Sequence, residues 1–201
     1  MLQANSNVLH PIEEVLKEND KIEESVSAIL TALGEDVSRE GLLDTPKRVA
    51  KMYREVFSGI GVDPKEALTT TFAEDYDGIV TVKDITYYTF CEHHLIPFFG
   101  KAHIGYIPNG RVVGLSKFAR LVELSSKRPQ VQERMTNEIA NAIHTVLQPK
   151  GVIVTVEGSH LCMCARGVKK PGASTVTTIK KGSFAENTAL CEEFERAVSR
   201  V

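Results

Sequence analysis

The chain has 201 residues, enough for one large domain with a helical extension and a proper core, and too few for two full domains. Its 24 basic and 26 acidic residues leave a net charge of -2, which excludes a global field drawing it to nucleic acid or an anionic membrane, so any anion site must be local. Met1 to Pro11 is polar with no signal-like apolar stretch, and no apolar run reaches membrane-spanning length, so a soluble cytoplasmic protein is expected. Four unevenly spaced cysteines do not form the framework of a small secreted fold and read as thiols or metal ligands.

Met1 to about Leu9 reads as a disordered start. From Ile12 to Leu33 apolar residues recur at three- and four-residue steps, giving a helical arm interrupted around Asn19-Asp20 and stopped by Gly34. Asp44-Thr45-Pro46 starts a second helix that runs to Gly59, with Arg48 and Lys51 on one face. Leu68 to Tyr76 is ambiguous. Ile79–Val82 and Ile85–Phe90, rich in β-branched and aromatic residues, read as strand. Pro97 and Gly100 are expected to break the chain before a strand over Lys101–Ile107, and Pro108-Asn109-Gly110 supplies hairpin-turn chemistry into Arg111–Gly114.

A helix from about Ser116 to Ser125 carries Lys117 and Arg120 on one face near its N-terminus, an arrangement suited to an anion. Pro129 reads as the opening of the clearest helix, whose buried stripe runs from Val131 to Leu147 and leaves Gln132 and Glu133 off it. A strand over Val152–Glu157, a threonine-rich strand over Ser174–Lys180 and a C-terminal helix from about Ala185 to Val198 follow. The order implies an α+β domain from about residue 44 to 201, an antiparallel sheet with helices on one face, preceded by the arm of residues 1–43.

The densest chemistry is Phe90-Cys91-Glu92-His93-His94. Cys91 and His94 form a Cys-x-x-His half-site of soft sulfur and imidazole, the donors zinc prefers. About seventy residues on, Ser159-His160-Leu161-Cys162-Met163-Cys164-Ala165-Arg166-Gly167 is the other cysteine-histidine cluster, and the two are expected to meet. Taken with Cys162, the half-site gives three ligands and leaves a fourth tetrahedral position for water, the mark of a catalytic zinc. An extended chain through Cys162 would set His160 on the same face as Cys162, a free imidazole for proton transfer. The same geometry would put Cys164 on that face too, its Cα about 6.6 Å from that of Cys162. Glu92 is a candidate to orient a ligand.

In this order and spacing, Cys91-Glu92-His93-His94, Gly114-Leu115-Ser116-Lys117, Arg128-Pro129-Gln130-Val131-Gln132-Glu133-Arg134 and His160-x-Cys162 with Arg166-Gly167 resemble the zinc-dependent GTP cyclohydrolase I family over roughly Asp44 to Phe184. The resemblance implies the tunnelling fold, and a homodecamer with sites between subunits. It implies conversion of GTP to 7,8-dihydroneopterin triphosphate and formate, the entry to folate or tetrahydrobiopterin-type pterins. Zinc on Cys91, His94 and Cys162 would activate water to attack carbon 8 of the purine, and His160 and His93 would transfer protons. Glu133 would accept hydrogen bonds from guanine, assisted by Gln132. Ser116, Lys117, Arg120 and Arg166, with Arg48 and Lys51, would hold the triphosphate. Cys164 is not among the family's ligands, so the choice of Cys162 over Cys164 rests on the resemblance. Two other readings stand beside it: a same-fold enzyme using Cys91 as a metal-independent nucleophile, such as a nitrile reductase, and a zinc-stapled binding module without turnover.

Overall fold

The computed structural model describes residues 12–200, with side chains from residue 21 onward, so the expected disordered start lies outside the described residues. The chain forms two compact units with the boundary between Glu55 and Val56. The first contains α1 (Ile12–Ala32) and almost all of α2 (Thr45–Val56). Helix α1 continues through Asn19-Asp20 without the expected interruption. It ends where Gly34 adopts a φ of 86°, and Glu35 N–H donates to Leu30 O at 3.0 Å, a glycine stop that satisfies a terminal carbonyl.

In the second unit the elements run β1 (Thr71–Ala73), β2 (Val80–Cys91), β3 (Pro97–Ile107), β4 (Arg111–Val113), α3 (Ser116–Ser126) and β5 (Pro129–Gln130). They continue with α4 (Gln132–Leu147), β6 (Gly151–His160), α5 (Leu161–Cys164), β7 (Thr175–Gly182), α6 (Ser183–Glu186) and α7 (Thr188–Ser199). The main sheet has the order β5-β2-β3-β6-β7; its pairs are antiparallel except for the short parallel pairing of β5 with the end of β2.

The core follows from the two periodicities. On α4, Met135, Ile139, Ile143 and Leu147 recur at helical spacing and bury against Val152, Val154 and Val156, alternate residues of β6 that share one face. Phe118, Leu121 and Val122 of α3 join the same cluster. Each such side chain, fully buried, contributes about 1.5–3 kcal/mol. This is the α+β arrangement expected, and the helical layer holds for α3 and α4.

Helix α7 departs from it and lies against the opposite face. There Phe184 and Phe194 bury against Ile107 and Ile153, residues of the other strand parity. Gly105 makes the approach possible, since a Cβ at that position would sit 2.6 Å from the Phe194 ring. Among the described residues no helix is long and apolar enough to cross a membrane.

Three local expectations change. The strand after the Cys91 loop begins at Pro97 and runs through Gly100: proline is tolerated as a first strand residue, and glycine is required because a Cβ there would lie 1.8 Å from Glu157 O. Pro108-Asn109-Gly110 turns the chain, but β4 pairs with β1, Thr71 opposite Val113, because both edges of β3 are already taken by β2 and β6. Pro129 does not open the helix; Pro129-Gln130 pairs with Phe90-Cys91, and α4 starts at Gln132. This last change ties the start of α4 to the Cys91 end of β2.

Gly100→Ala should lower stability by about 1–3 kcal/mol through overpacking of β3 against β6. Denaturant unfolding measures it, and an unchanged midpoint would show that the two strands can separate without cost.

Candidate metal centre

Strand β2 ends at Cys91 and β3 starts at Pro97, so Glu92-His93-His94-Leu95-Ile96 form the connection between adjacent strands. Cys91 N–H donates to Ile96 O at 3.0 Å and Leu95 N–H to Cys91 O at 2.8 Å, closing the loop tightly. Leu95 takes a φ of 51° to do so. A branched residue in left-handed backbone costs about 1–3 kcal/mol, a strain that persists because the surroundings hold the loop. Glu92 N–H donates to Gln130 O at 3.0 Å, and the Glu92 carboxylate accepts from Arg134 Nη1 and Nη2 at 2.7 and 2.6 Å. Glu92 therefore turns to α4 and anchors the loop there, rather than to a ligand side chain.

The second cluster arrives by sheet register. Strand β6 pairs with β3 so that His160 stands opposite Phe98, two residues from the loop. Pairing with β7 stops at Gly158 and pairing with β3 at His160; with no ladder partners left, the chain turns into the helical turn α5. This overturns the extended path through Cys162 and with it the shared strand face of His160, Cys162 and Cys164. On a helical turn, residues two apart point about 200° from each other. Cys162 turns inward, while the Cys164 thiol lies 3.7 Å from Lys170 O.

The result is one group of donors: an atom each from Cys91, His94 and Cys162, all within 4.8 Å of one another. Cys91 Sγ is 3.8 Å from His94 Nδ1 and 3.8 Å from His93 Nδ1. Two thiols and an imidazole are a zinc-type set, and tetrahedral zinc with bonds of about 2.0–2.3 Å needs its donors about 3.4–3.8 Å apart. The residues present fit such an ion. Burial grades across them, from buried Cys91 through half-buried Cys162 to exposed His94. Burial, followed by the neighbouring Cys91, pushes the Cys162 thiol above its ordinary value.

His160 stands beside this group. Its ring stacks on Phe98, with centroids 4.3 Å apart and planes 11° apart, and its Nε2 is 3.0 Å from Gln132 Oε1. Burial lowers its pKa, opposed by the Glu133 carboxylate. Glu133 itself is exposed in the first turn of α4, and His93 is exposed in the loop. Gln132, expected off the buried stripe, is buried, and Phe98, Thr177 and Gly158 around it escaped notice altogether. Gly158 lies one residue past the strand end expected at Glu157 and is a strand glycine only because β6 runs on to His160.

The anion candidates divide. Arg166 Nη1 lies 3.3 Å from His94 Nε2. Lys117 and Arg120, near the start of α3, line a cavity of about 490 Å³ with Ser58, Val62, Glu66 and Thr69, and none of the three metal-type donors lines it. Ser116 is the exposed first residue of α3. Arg48 and Lys51 are exposed on α2 in the first unit, Arg48 paired with Asp44 at 3.2 Å.

Comparison with known proteins agrees with the residues. The sequence profile of GTP cyclohydrolase I matches residues 22–199. A GTP cyclohydrolase 1 from Clostridium perfringens is 57% identical over 182 residues, covering 90% of this chain and 98% of that protein. One from Halalkalibacterium halodurans is 58% identical over 177 residues, covering 88% and 94%. With a match over nearly the whole described chain, and with the Cys-x-x-His and His-x-Cys motifs brought to one place by the fold, this chain belongs to the GTP cyclohydrolase I family.

Proposed function

We propose that this GTP cyclohydrolase converts GTP, with one net water, to 7,8-dihydroneopterin triphosphate and formate, and that it does so with zinc held by Cys91, His94 and Cys162. The observation that carries the zinc assignment is the convergence of those three soft donors within 4.8 Å, from stretches about seventy residues apart. Zinc on three protein ligands supplies a Lewis acid with an open position, which makes water nucleophilic near neutral pH.

The chain's own residues do the rest. Carbon 8 of the purine leaves as formate, so two carbon-nitrogen bonds break and each departing nitrogen needs a proton. In this reading His160 and His93 move those protons, supported by the stacking of His160 on Phe98 beside the donor group and the 3.8 Å between His93 Nδ1 and Cys91 Sγ. Glu133, next to His160 in charge and exposed at the start of α4, accepts hydrogen bonds from the N–H groups of guanine; a carboxylate suits that task because it only accepts. Arg166, at His94, grips phosphate oxygen.

Ser116, Lys117 and Arg120, with Arg48 and Lys51, complete the triphosphate cradle in this reading, from chains assembled as a homodecamer with sites between subunits. The separate cavity of Lys117 and Arg120 favours a shared site, because within one chain that cavity is not lined by the metal-type donors. A reducing cytoplasmic setting suits four free cysteines, and the product would enter folate or tetrahydrobiopterin-type pterin synthesis.

The first test is formate release and pterin fluorescence from GTP, with and without a zinc chelator. Both products should vanish on chelation and return with added zinc; turnover that survives chelation would sink the metal assignment. Cys162→Ala should lose the bound zinc while Cys164→Ala keeps it, by metal analysis of the purified chains; the reverse result would make Cys164 the ligand. Glu133→Gln should cut kcat/KM for GTP roughly 10- to 100-fold with zinc content intact, and near-normal turnover would remove Glu133 from guanine recognition. Co-assembled chains carrying Lys117→Ala on one and His160→Ala on the other should regain turnover that neither has alone. No regain would mean that each site is built within one chain.

A further inference from the structure

Gln132, 1% exposed at the first position of α4, spends its side chain on the protein. Its Nε2 shares two protons among three acceptors, Val156 O at 2.9 Å, Thr175 O at 3.0 Å and Thr177 Oγ1 at 3.2 Å. Main-chain carbonyl oxygens only accept, so the NH2 end of the carboxamide must face them and the two ends cannot be exchanged.

The hydroxyls beside it are ordered in the same sense. Thr136 Oγ1 donates to Gln132 O at 2.7 Å and stands 2.6 Å from Thr177 Oγ1. With the Thr136 proton committed to that carbonyl, Thr177 donates to Thr136 and keeps its lone pairs for the Gln132 amide. The opposite end, Oε1, then faces His160 Nε2 at 3.0 Å. Room for it comes from Gly158, where a Cβ would lie 2.3 Å from Oε1 and 2.8 Å from the Tyr87 hydroxyl. Stacking on Phe98 keeps the imidazole in its plane.

We infer that Gln132 is a positioning residue: it holds His160 as the Nε2–H tautomer, with Nε2 turned to the carboxamide oxygen, and leaves Nδ1 as the ring's acceptor nitrogen. The carboxamide thus serves the proton carrier instead of reading guanine. This rests on the role given to His160 in the reaction proposed above. A carboxamide oxygen can only accept, so a ring with Nε2 bare would set two acceptors against each other at 3.0 Å in a partly buried place.

The test is nitrogen NMR of the histidine side chains in full-length, zinc-loaded enzyme, at a pH where the ring is neutral, together with steady-state kinetics. The unsubstituted enzyme should show His160 with a protonated Nε2 and a bare Nδ1. In Gln132→Met, and in Gly158→Ala, which pushes the carboxamide aside from the strand, that preference should be lost. In both, kcat should fall about 10-fold or more while KM for GTP changes less than about twofold and zinc content stays the same. A protonated Nδ1 in the unsubstituted enzyme would overturn the inference. So would Gln132→Met with raised KM and intact kcat, which would put the carboxamide on the substrate. If Gln132→Met does not fold, Gly158→Ala and the unsubstituted enzyme decide between the same outcomes. The NMR reading does not depend on turnover, so a protein that releases no formate yet keeps His160 as Nε2–H overturns the reaction and not the tautomer.

Discussion

The register of β6 against β3 is the constraint on which the site depends. Setting His160 opposite Phe98 delivers the imidazole, and two residues later, within the helical turn α5, the Cys162 thiol, to the loop that already holds Cys91 and His94. A slip of one residue would send every side chain of β6 to the other face, exchanging the valines that meet α4 for the row that contains Ile153 and Thr155. The hydrophobic pattern therefore fixes the register, and the register fixes the chemistry. Gly100 and Gly158, directly paired across the two strands, let the backbones and the Tyr87 hydroxyl come close enough for this. Tyr87 donates to Glu157 O at 3.0 Å across the same spot.

The loop end of the site is held by different means. Leu95 in left-handed backbone is unfavourable alone, but the loop is bonded to its own closing residue, to β5 through Gln130 O and to α4 through the Glu92–Arg134 pair. That pair is partly exposed, so its worth is in the direction it imposes more than in its energy. The structure thus has a rigid side, the sheet, and a clamped side, the loop, with the three donors between them.

What the sequence revealed tracks how local each feature is. Cys91, His93, His94, His160 and Cys162 were legible because thiols and imidazoles are scarce in this chain and fall in two short stretches. Helices α3 and α4 were legible because apolar spacing along a helix is a local pattern too. The end of β6 was not, because it depends on where partners in β3 and β7 run out, and no local pattern records that. Gln132 reads as a polar residue at a helix start; its burial depends on carbonyls of Val156 and Thr175, which meet it only after β6 and β7 are in place. Likewise, α7 reads as an ordinary amphipathic helix, and the face it covers is settled by the missing side chain of Gly105. Pro129 misled because the same residue type that opens helices also begins short edge strands.

The chain of contacts behind His160 runs through a carboxamide, two hydroxyls and main-chain carbonyls, none of which carries a net charge. Mobile ions screen interactions between exposed charges over about 8 Å at physiological ionic strength and leave buried neutral hydrogen bonds almost untouched. The orientation of the imidazole is thus insulated from the ionic composition of the solvent. Contacts built on exposed charge, such as Arg166 and the Glu92–Arg134 pair, are not. The fold thus supports the His160 ring with uncharged, mostly part-buried contacts, and leaves salt sensitivity to the contacts that face the solution.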